Sequence, residues 1–223
     1  MKKYYLKIRS LQKINHDVIQ WTTDKPVNYT FIPGQATEIA LNKEGWQEER
    51  RPFTFTSLPD DSYLQFTTKL YPSHNGVTNQ LAQAKENDEV ILHEVFGTIK
   101  YEGEGVFIAG GAGITPFISI FKQLEKTLQI GNNKLIFSNK TKEDIILAEY
   151  FKAVLANNFI NILSEEKTTE YPYGRITKEF LSAHINSVNQ KFYICGPDPM
   201  MEAVEEQLMS LQVSPDAIVK EQF

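Results

Sequence analysis

Cysteine is almost absent from this chain: Cys195 is the only one in 223 residues. A single thiol cannot close an internal disulfide, nor supply the four ligands of an ordinary iron–sulfur cluster. A cluster of that kind would have to lie on another molecule. An excess of positive charge is also missing, since 23 basic residues face 28 acidic ones for a formal charge of −5. That balance argues against nucleic acid as a partner, because sequence-independent binding needs a basic face to replace phosphate counterions. Long apolar runs are lacking too. The longest, residues 106–121, falls short of the roughly 20 residues of a membrane span and is interrupted by glycines, Thr115 and Pro116. The opening MKKYYLKIRS alternates in strand fashion instead of showing an apolar signal core, so a cytoplasmic location is expected. Histidine is scarce, and the four present, His16, His74, His93 and His184, show no metal-ligand spacing.

What is present is enough to build cores: 41% hydrophobic and 12% aromatic residues exclude wholesale disorder. The length suits two domains of about 100 residues each. The first hundred residues read as short strands at Tyr4–Ser10, Val18–Thr22, Thr37–Leu41, Phe53–Ser57, Tyr63–Leu70 and Glu89–Leu92. Turn clusters such as Pro33-Gly34 separate several of them. Six strands at this spacing predict a small antiparallel barrel, with one short helix from Asn75 to about Ala84. From Val106 the pattern changes to apolar strand, loop, helix. Strands are expected at Val106–Ala109, Lys134–Phe137, Phe159–Leu163 and Lys191–Cys195, and helices at Pro116–Thr127, Glu143–Ala156, Lys178–Ala183 and Pro199–Leu211. This alternation predicts a Rossmann-like parallel sheet covered by helices. The boundary falls in the glycine-rich segment Tyr101–Gly105, which divides the chain into domains 1–101 and 102–223.

Four segments carry chemistry. Gly110-Gly111-Ala112-Gly113-Ile114-Thr115-Pro116 follows a buried-type strand. Its glycines let the backbone approach a phosphate, Thr115 can cap the next helix and Pro116 suits its first turn. The alternative is a tight strand–helix turn with no ligand. A second turn, Cys195-Gly196-Pro197-Asp198-Pro199, has the same architecture, with Asp198 as a cap; a lone buried cysteine is equally a small core hydrophobe. Arg51-Pro52-Phe53-Thr54 combines a cation, a flat ring and a hydroxyl on one strand, the groups that suit a pyrophosphate, a ring face and a ring-edge hydrogen bond. An ordinary half-buried strand could show the same alternation. Thr68 and Lys69 end a later strand, and Gly76-Val77-Thr78 could open a short helix and cradle phosphate oxygens or cap a surface helix.

Taken together and in this order, the four segments resemble the ferredoxin–NADP⁺ reductase family of flavin oxidoreductases. Its flavin domain carries an Arg-x-Tyr-Ser/Thr strand and a Gly-x-x-Ser/Thr loop, and its nicotinamide domain carries a Gly-Gly-x-Gly turn and a Cys-Gly-Pro turn. The resemblance runs from near residue 4 to the C-terminus. It implies an antiparallel six-stranded FAD-binding barrel followed by a nicotinamide-binding α/β domain. Arg51 is then expected at the FAD pyrophosphate, Phe53 against the flavin or ribityl chain and Thr54 near flavin N5, with Pro52, Thr68 and Lys69 in the same site and Gly76, Val77 and Thr78 holding the pyrophosphate. Phe53 departs from the family's usual tyrosine, which keeps the ring and loses the hydroxyl. Gly110, Gly111, Gly113, Ile114, Thr115 and Pro116 are expected at the nicotinamide dinucleotide, with Cys195, Gly196 and Pro197 beside the nicotinamide ring. Phe223 resembles the terminal aromatic that covers the flavin face, or is a final hydrophobe tucked into the core.

The resemblance implies an enzyme that passes hydride from NAD(P)H to FAD, with Thr54 and Cys195 at the reacting rings, and hands electrons to a separate acceptor protein such as a ferredoxin, a flavodoxin or an oxygenase component. Two other readings stand beside it: a flavin- and dinucleotide-binding electron-transfer subunit of a larger complex, and a dinucleotide sensor without turnover. Ser138 and Lys140, after the second strand of the α/β half, could bind a 2′-phosphate, but no arginine fork is present there. NADH and NADPH both remain open.

Overall fold

A computed structural model describes residues 2–71 and 76–221. The chain forms two compact units: Met1–Gly97 with Thr115–Gln123, and Thr98–Ile114 with Leu124–Phe223.

The first unit is antiparallel. Strands β1 (Tyr4–Lys13), β2 (Val18–Asp24), β3 (Ala36–Leu41), β4 (Arg51–Thr54), β5 (Tyr63–Lys69) and β6 (Glu89–Phe96) join in the order β4-β3-β6-β1-β2-β5. The two outer strands meet at an isolated bridge, Phe55 to Phe66, and Thr56 N donates to Gln65 O at 2.7 Å. The sheet thereby closes into the expected barrel and loses its free edges. Aromatic side chains fill it. Trp21, Phe55 and Phe66 are fully buried; Phe31 stacks on Phe55 with ring centroids 4.1 Å apart, and Trp21 lies 4.7 Å from Phe66. The short helix α1 is Val77–Leu81, tighter than the expected span, with Val77 and Leu81 turned into the core. The second helix, α2 (Thr115–Lys126), gives most of its length to this unit. Gly34 N donates to Ser119 Oγ, and Lys122 Nζ donates to Thr56 O at 2.6 Å and to Gln65 Oε1 at 2.8 Å.

The second unit is a wholly parallel sheet of β7 (Gly105–Gly110), β8 (Lys134–Asn139), β9 (Phe159–Leu163), β10 (Lys191–Cys195) and β11 (Ile218–Lys220), in the order β11-β10-β7-β8-β9. Every residue of β7 is buried, as expected of a central parallel strand covered on both faces. Val106, Ile108, Ile136, Ile162, Phe192 and Ile194 pack with Leu181 of α4 (Lys178–His184) and with Val204 and Leu208 of α5 (Asp198–Ser210).

Two differences from the sequence expectation have local causes. The sheet has a fifth strand, β11, which is only three residues long. The helix expected over Glu143–Ala156 begins later, as α3 (Ala148–Leu155). Thr141 and Asp144 form a capping box on a separate short turn. Leu147 then takes a left-handed backbone (φ 54°), so the chain cannot run as one helix across it.

Candidate functional site

Parallel strands deliver their carboxyl ends to one edge of a sheet, where ligands of open α/β folds collect. Here that edge brings together the two glycine turns. Register pairs Cys195 with Ala109 and Ser138 with Gly110, so β10 and β8 flank the turn that leaves β7. The turns also interlock. A Cβ on Gly113 would lie 2.2 Å from Cys195 O and 2.6 Å from Gly196 Cα; one on Gly110 would lie 2.4 Å from Met200 Sδ. One on Gly196 would lie 2.7 Å from Met200 Cε and 3.1 Å from Gly110 N. Gly111 is different: its φ is +51° and a Cβ there would meet open space. Gly113 is therefore required by backbone packing, Gly110 and Gly196 sit against the movable end of Met200, and Gly111 is favoured by its backbone conformation.

The residues after these turns open helices. Gly111–Ile114 form a short 3₁₀ turn, Ile114 is buried, and Thr115 and Pro116 are the first two residues of α2. At the other turn Pro197 is the N-cap of α5 and Asp198 the first helical residue, with no side-chain cap bond. The expected capping by Asp198 is thus replaced by an acidic group in the first turn, which still favours the positive helix end.

Cys195 is partly covered at the end of β10. Its thiol is pushed up to about 12, chiefly by burial and secondly by the charge of Glu221. It is protonated at neutral pH, and a protonated thiol is a poor nucleophile. Glu221 was not singled out in the sequence. It follows β11, whose register with β10 pairs Ile194 with Lys220, and its carboxylate accepts from Thr98 N at 3.1 Å and from Thr98 Oγ1 at 3.2 Å. Reading Ile218-Val219 as a strand would have placed this carboxylate beside Cys195.

In the first unit, Arg51 and Pro52 are exposed, Thr54 is half-buried, and Phe53 is 7% exposed. Phe53 packs edge-on to Trp21 at 6.1 Å and to Phe66 at 6.5 Å, so its ring belongs to the barrel core. Thr68 is also interior, its Oγ1 accepting from Trp21 Nε1 at 3.0 Å. Lys69 Nζ lies 2.9 Å from Asp17 Oδ2. Arg51 pairs across with Ile39 of β3, and α1 reaches the segment after β3 through Lys43 Nζ, which donates to Gln80 Oε1 at 2.9 Å. β3 and the segment just after it thus contact both the strand of Arg51 and Gln80 of α1. Gly76 is the N-cap of α1, and among the described residues nothing lies within 4 Å of where its Cβ would stand. The loop residues Ser73, His74 and Asn75, and Phe223, lie outside the described residues.

Ser138 is half-buried near the end of β8. Lys140, just beyond, has its Nζ 3.0 Å from Glu165 Oε1. Among the described residues no helix is long and apolar enough to cross a membrane.

Residues 107–206 match the oxidoreductase NAD-binding domain family. The chain is 26% identical over 219 residues to NADH oxidoreductase HCR of Escherichia coli (strain K12), covering 93% of this chain and 66% of that protein. It is 25% identical to NADH–cytochrome b5 reductase 1 of Arabidopsis thaliana, covering 94% and 80%. A ferredoxin NADP⁺ reductase from Neisseria gonorrhoeae, with bound FAD and NADP, superposes with a TM-score of 0.87 at 20% identity, covering 99% of this chain and 98% of that one. The chain spans 57–66% of the length of several curated relatives, the Escherichia coli protein and the propane 2-monooxygenase reductase component of Rhodococcus jostii (strain RHA1) among them. An oxidoreductase NAD-binding domain match thus falls on the parallel sheet, and the fold of the chain from end to end is that of the ferredoxin NADP⁺ reductase structure.

Proposed function

We propose that this chain is an FAD-dependent reductase that oxidises NAD(P)H and passes electrons to a separate acceptor protein, with FAD on residues 1–101 and the dinucleotide on residues 102–223. The observation that carries the reading is the pair of interlocked turns, Gly110–Ile114 and Cys195–Pro197, at the carboxyl ends of β7 and β10. Their packing leaves Gly111, where no described residue lies within 4 Å of a Cβ, as the place where a dinucleotide can approach the backbone.

The barrel residues fit FAD in kind. Arg51 is an exposed cation and Gly76 opens α1 with nothing among the described residues within 4 Å of where a Cβ would stand, and both suit a pyrophosphate. Thr54, half-buried at the end of the strand that Arg51 begins, offers a hydroxyl to the ring edge. Phe53 supports that strand from below through Trp21 and Phe66. When bound, FAD supplies the hydride acceptor and the capacity to release electrons singly. The protein supplies binding and orientation. Cys195, kept neutral, shapes the nicotinamide pocket without acting as a nucleophile, and Glu221 stands beside it with its carboxylate fixed by Thr98. A separate acceptor is supported by relatives named as the electron transfer component XylA of xylene/toluene monooxygenase and as reductase components of propane 2-monooxygenase. A ferredoxin, a flavodoxin or an oxygenase component would fill that place.

The test has two steps. Denaturing the purified protein is expected to release FAD, identified by chromatography, and the intact protein is expected to reduce a dye with NADH or NADPH. Failure to hold any flavin after reconstitution would remove the reading. FAD without dye reduction would favour an electron-transfer subunit that works only in a complex.

A further inference from the structure

The reductase reading leaves open which dinucleotide is used, and the exits of β8 and β9 bear on it. We infer that this chain takes the dinucleotide with a free 2′-hydroxyl, and that Glu165 and Glu166 turn away its 2′-phosphorylated counterpart; the inference rests on the proposed reductase function. The two exits are joined by backbone bonds, Ser164 N to Asn139 O and Glu165 N to Lys140 O, each 2.9 Å. This continues the register that pairs Asn139 with Leu163 and carries the Ser-Glu-Glu segment of one exit beside the Lys-Thr-Lys segment of the other. The lysines that could grip a phosphate are consequently occupied. Lys140 Nζ is 3.0 Å from Glu165, and the Lys142 ammonium pairs with Glu170. Glu166 Oε2 accepts from Lys142 N at 2.6 Å.

A 2′-phosphate brings a charge of about −1.5 to −2 and needs cations free to meet it, best an arginine fork. Here it would meet Glu165 and Glu170, which hold the Lys140 and Lys142 ammonium groups, and Glu166, which accepts from the Lys142 backbone, while the next cation, Lys167, lies over the Tyr173 ring. Arg175 starts from the far side of β9. Tyr173 bridges Leu163 on the side of β9 away from β8, which puts the following segment two strand spacings, roughly 10 Å, from the β8 exit. A ribose 2′-hydroxyl, by contrast, can donate to a carboxylate at no electrostatic cost. Lys140 and Glu165 are 68% and 58% exposed, so no single pair decides the matter; the sum of three carboxylates does.

Calorimetric titration of the FAD-loaded protein with NAD⁺ and NADP⁺ tests this without relying on turnover. NAD⁺ is expected to bind at least about tenfold more tightly. The Glu165→Arg/Glu166→Lys double variant should move that ratio toward NADP⁺ by about tenfold. The milder Glu165→Gln/Glu166→Gln pair should move it the same way by less. Arg175→Ala should leave the ratio unchanged. Equal affinities, a preference for NADP⁺, an unmoved ratio in both charge variants, or selective loss of NADP⁺ binding in Arg175→Ala would each overturn the inference while leaving the reductase reading in place. Binding of neither nucleotide would overturn both.

Discussion

Replacing Gly113 by alanine separates packing from ligand binding at the first glycine turn. The added Cβ would stand 2.2 Å from Cys195 O and 2.4 Å from Cys195 C, well inside the ordinary contact distance for carbon. Both obstacles are backbone atoms of a central parallel strand, so neither can swing aside as a side chain would. Overpacking of this kind costs about 1–3 kcal/mol, and two backbone contacts argue for the upper half. At 2–4 °C per kcal/mol for a chain of this size, the expected fall in Tm is roughly 4–12 °C. The comparison is Gly111→Asn, where φ is +51° and nothing lies within 4 Å of the new Cβ. Asparagine tolerates that backbone, so its Tm is expected within about 2 °C of the parent. Scanning calorimetry of both proteins without dinucleotide makes the measurement. Equal melting temperatures for Gly113→Ala and the parent would refute the argument, because they would mean the two turns are not interlocked.

Other perturbations report on other parts of the molecule. Arg51→Ala should weaken FAD retention by roughly 10–100-fold, from the 1.5–3 kcal/mol of a charge-assisted bond, with little change in far-ultraviolet circular dichroism; unchanged flavin content would make Arg51 a surface charge. Cys195→Ala should slow bleaching of the flavin by the dinucleotide in stopped flow while FAD content stays constant, and an unaltered rate would return Cys195 to a packing role. Iodoacetamide should label Cys195 slowly at pH 8, because the thiol is held near 12, and faster in Glu221→Gln, where one cause of that elevation is gone; identical rates would mean that Glu221's charge is not felt at the sulfur. His93 is 1% exposed with neither ring nitrogen partnered among the described residues, and burial, then Arg50, holds it below its ordinary 6.5. As pH falls through 6.5 the unfolded chain takes up a proton that the folded one refuses, so stability falls by up to about 1.4 kcal/mol per pH unit until the folded value is reached. Denaturant titrations at pH 7.5 and 5.5 should show that loss in the parent and less of it in His93→Leu.

The glycine turns were legible because their spacing is local: Gly-Gly-x-Gly after a buried strand and Cys-Gly-Pro after another need no distant partner to be recognised. The barrel was legible for a similar reason, its strands being separated by turn residues. Three features were not. Strand β11 has only Ile218, Val219 and Lys220, too few to show a period. The start of α3 was misplaced because Thr141 and Asp144 do form a helix-opening signal, but Leu147 then takes a conformation that nothing in its side chain announces. The state of Lys140 depends on Glu165, which only the pairing of β8 with β9 brings near. Phe53 shows a different limit: a flat ring on a strand suits a cofactor or a core equally, and its placement against Trp21 and Phe66 depends on barrel closure.

That closure has a consequence for the order in which the protein is made. The first compact unit includes Thr115–Gln123, and Lys122 and Ser119 bond its loops and strands from there. A nascent chain that has released every barrel strand, through Phe96, still lacks the helix that belongs to that unit. At 5–20 residues per second, synthesis of the intervening segment takes on the order of seconds, and meanwhile Gly34 N and the Thr56 carbonyl wait without their partners. The barrel is complete only after the first strand and glycine turn of the parallel sheet have also been synthesised, so the second unit begins before the first one ends.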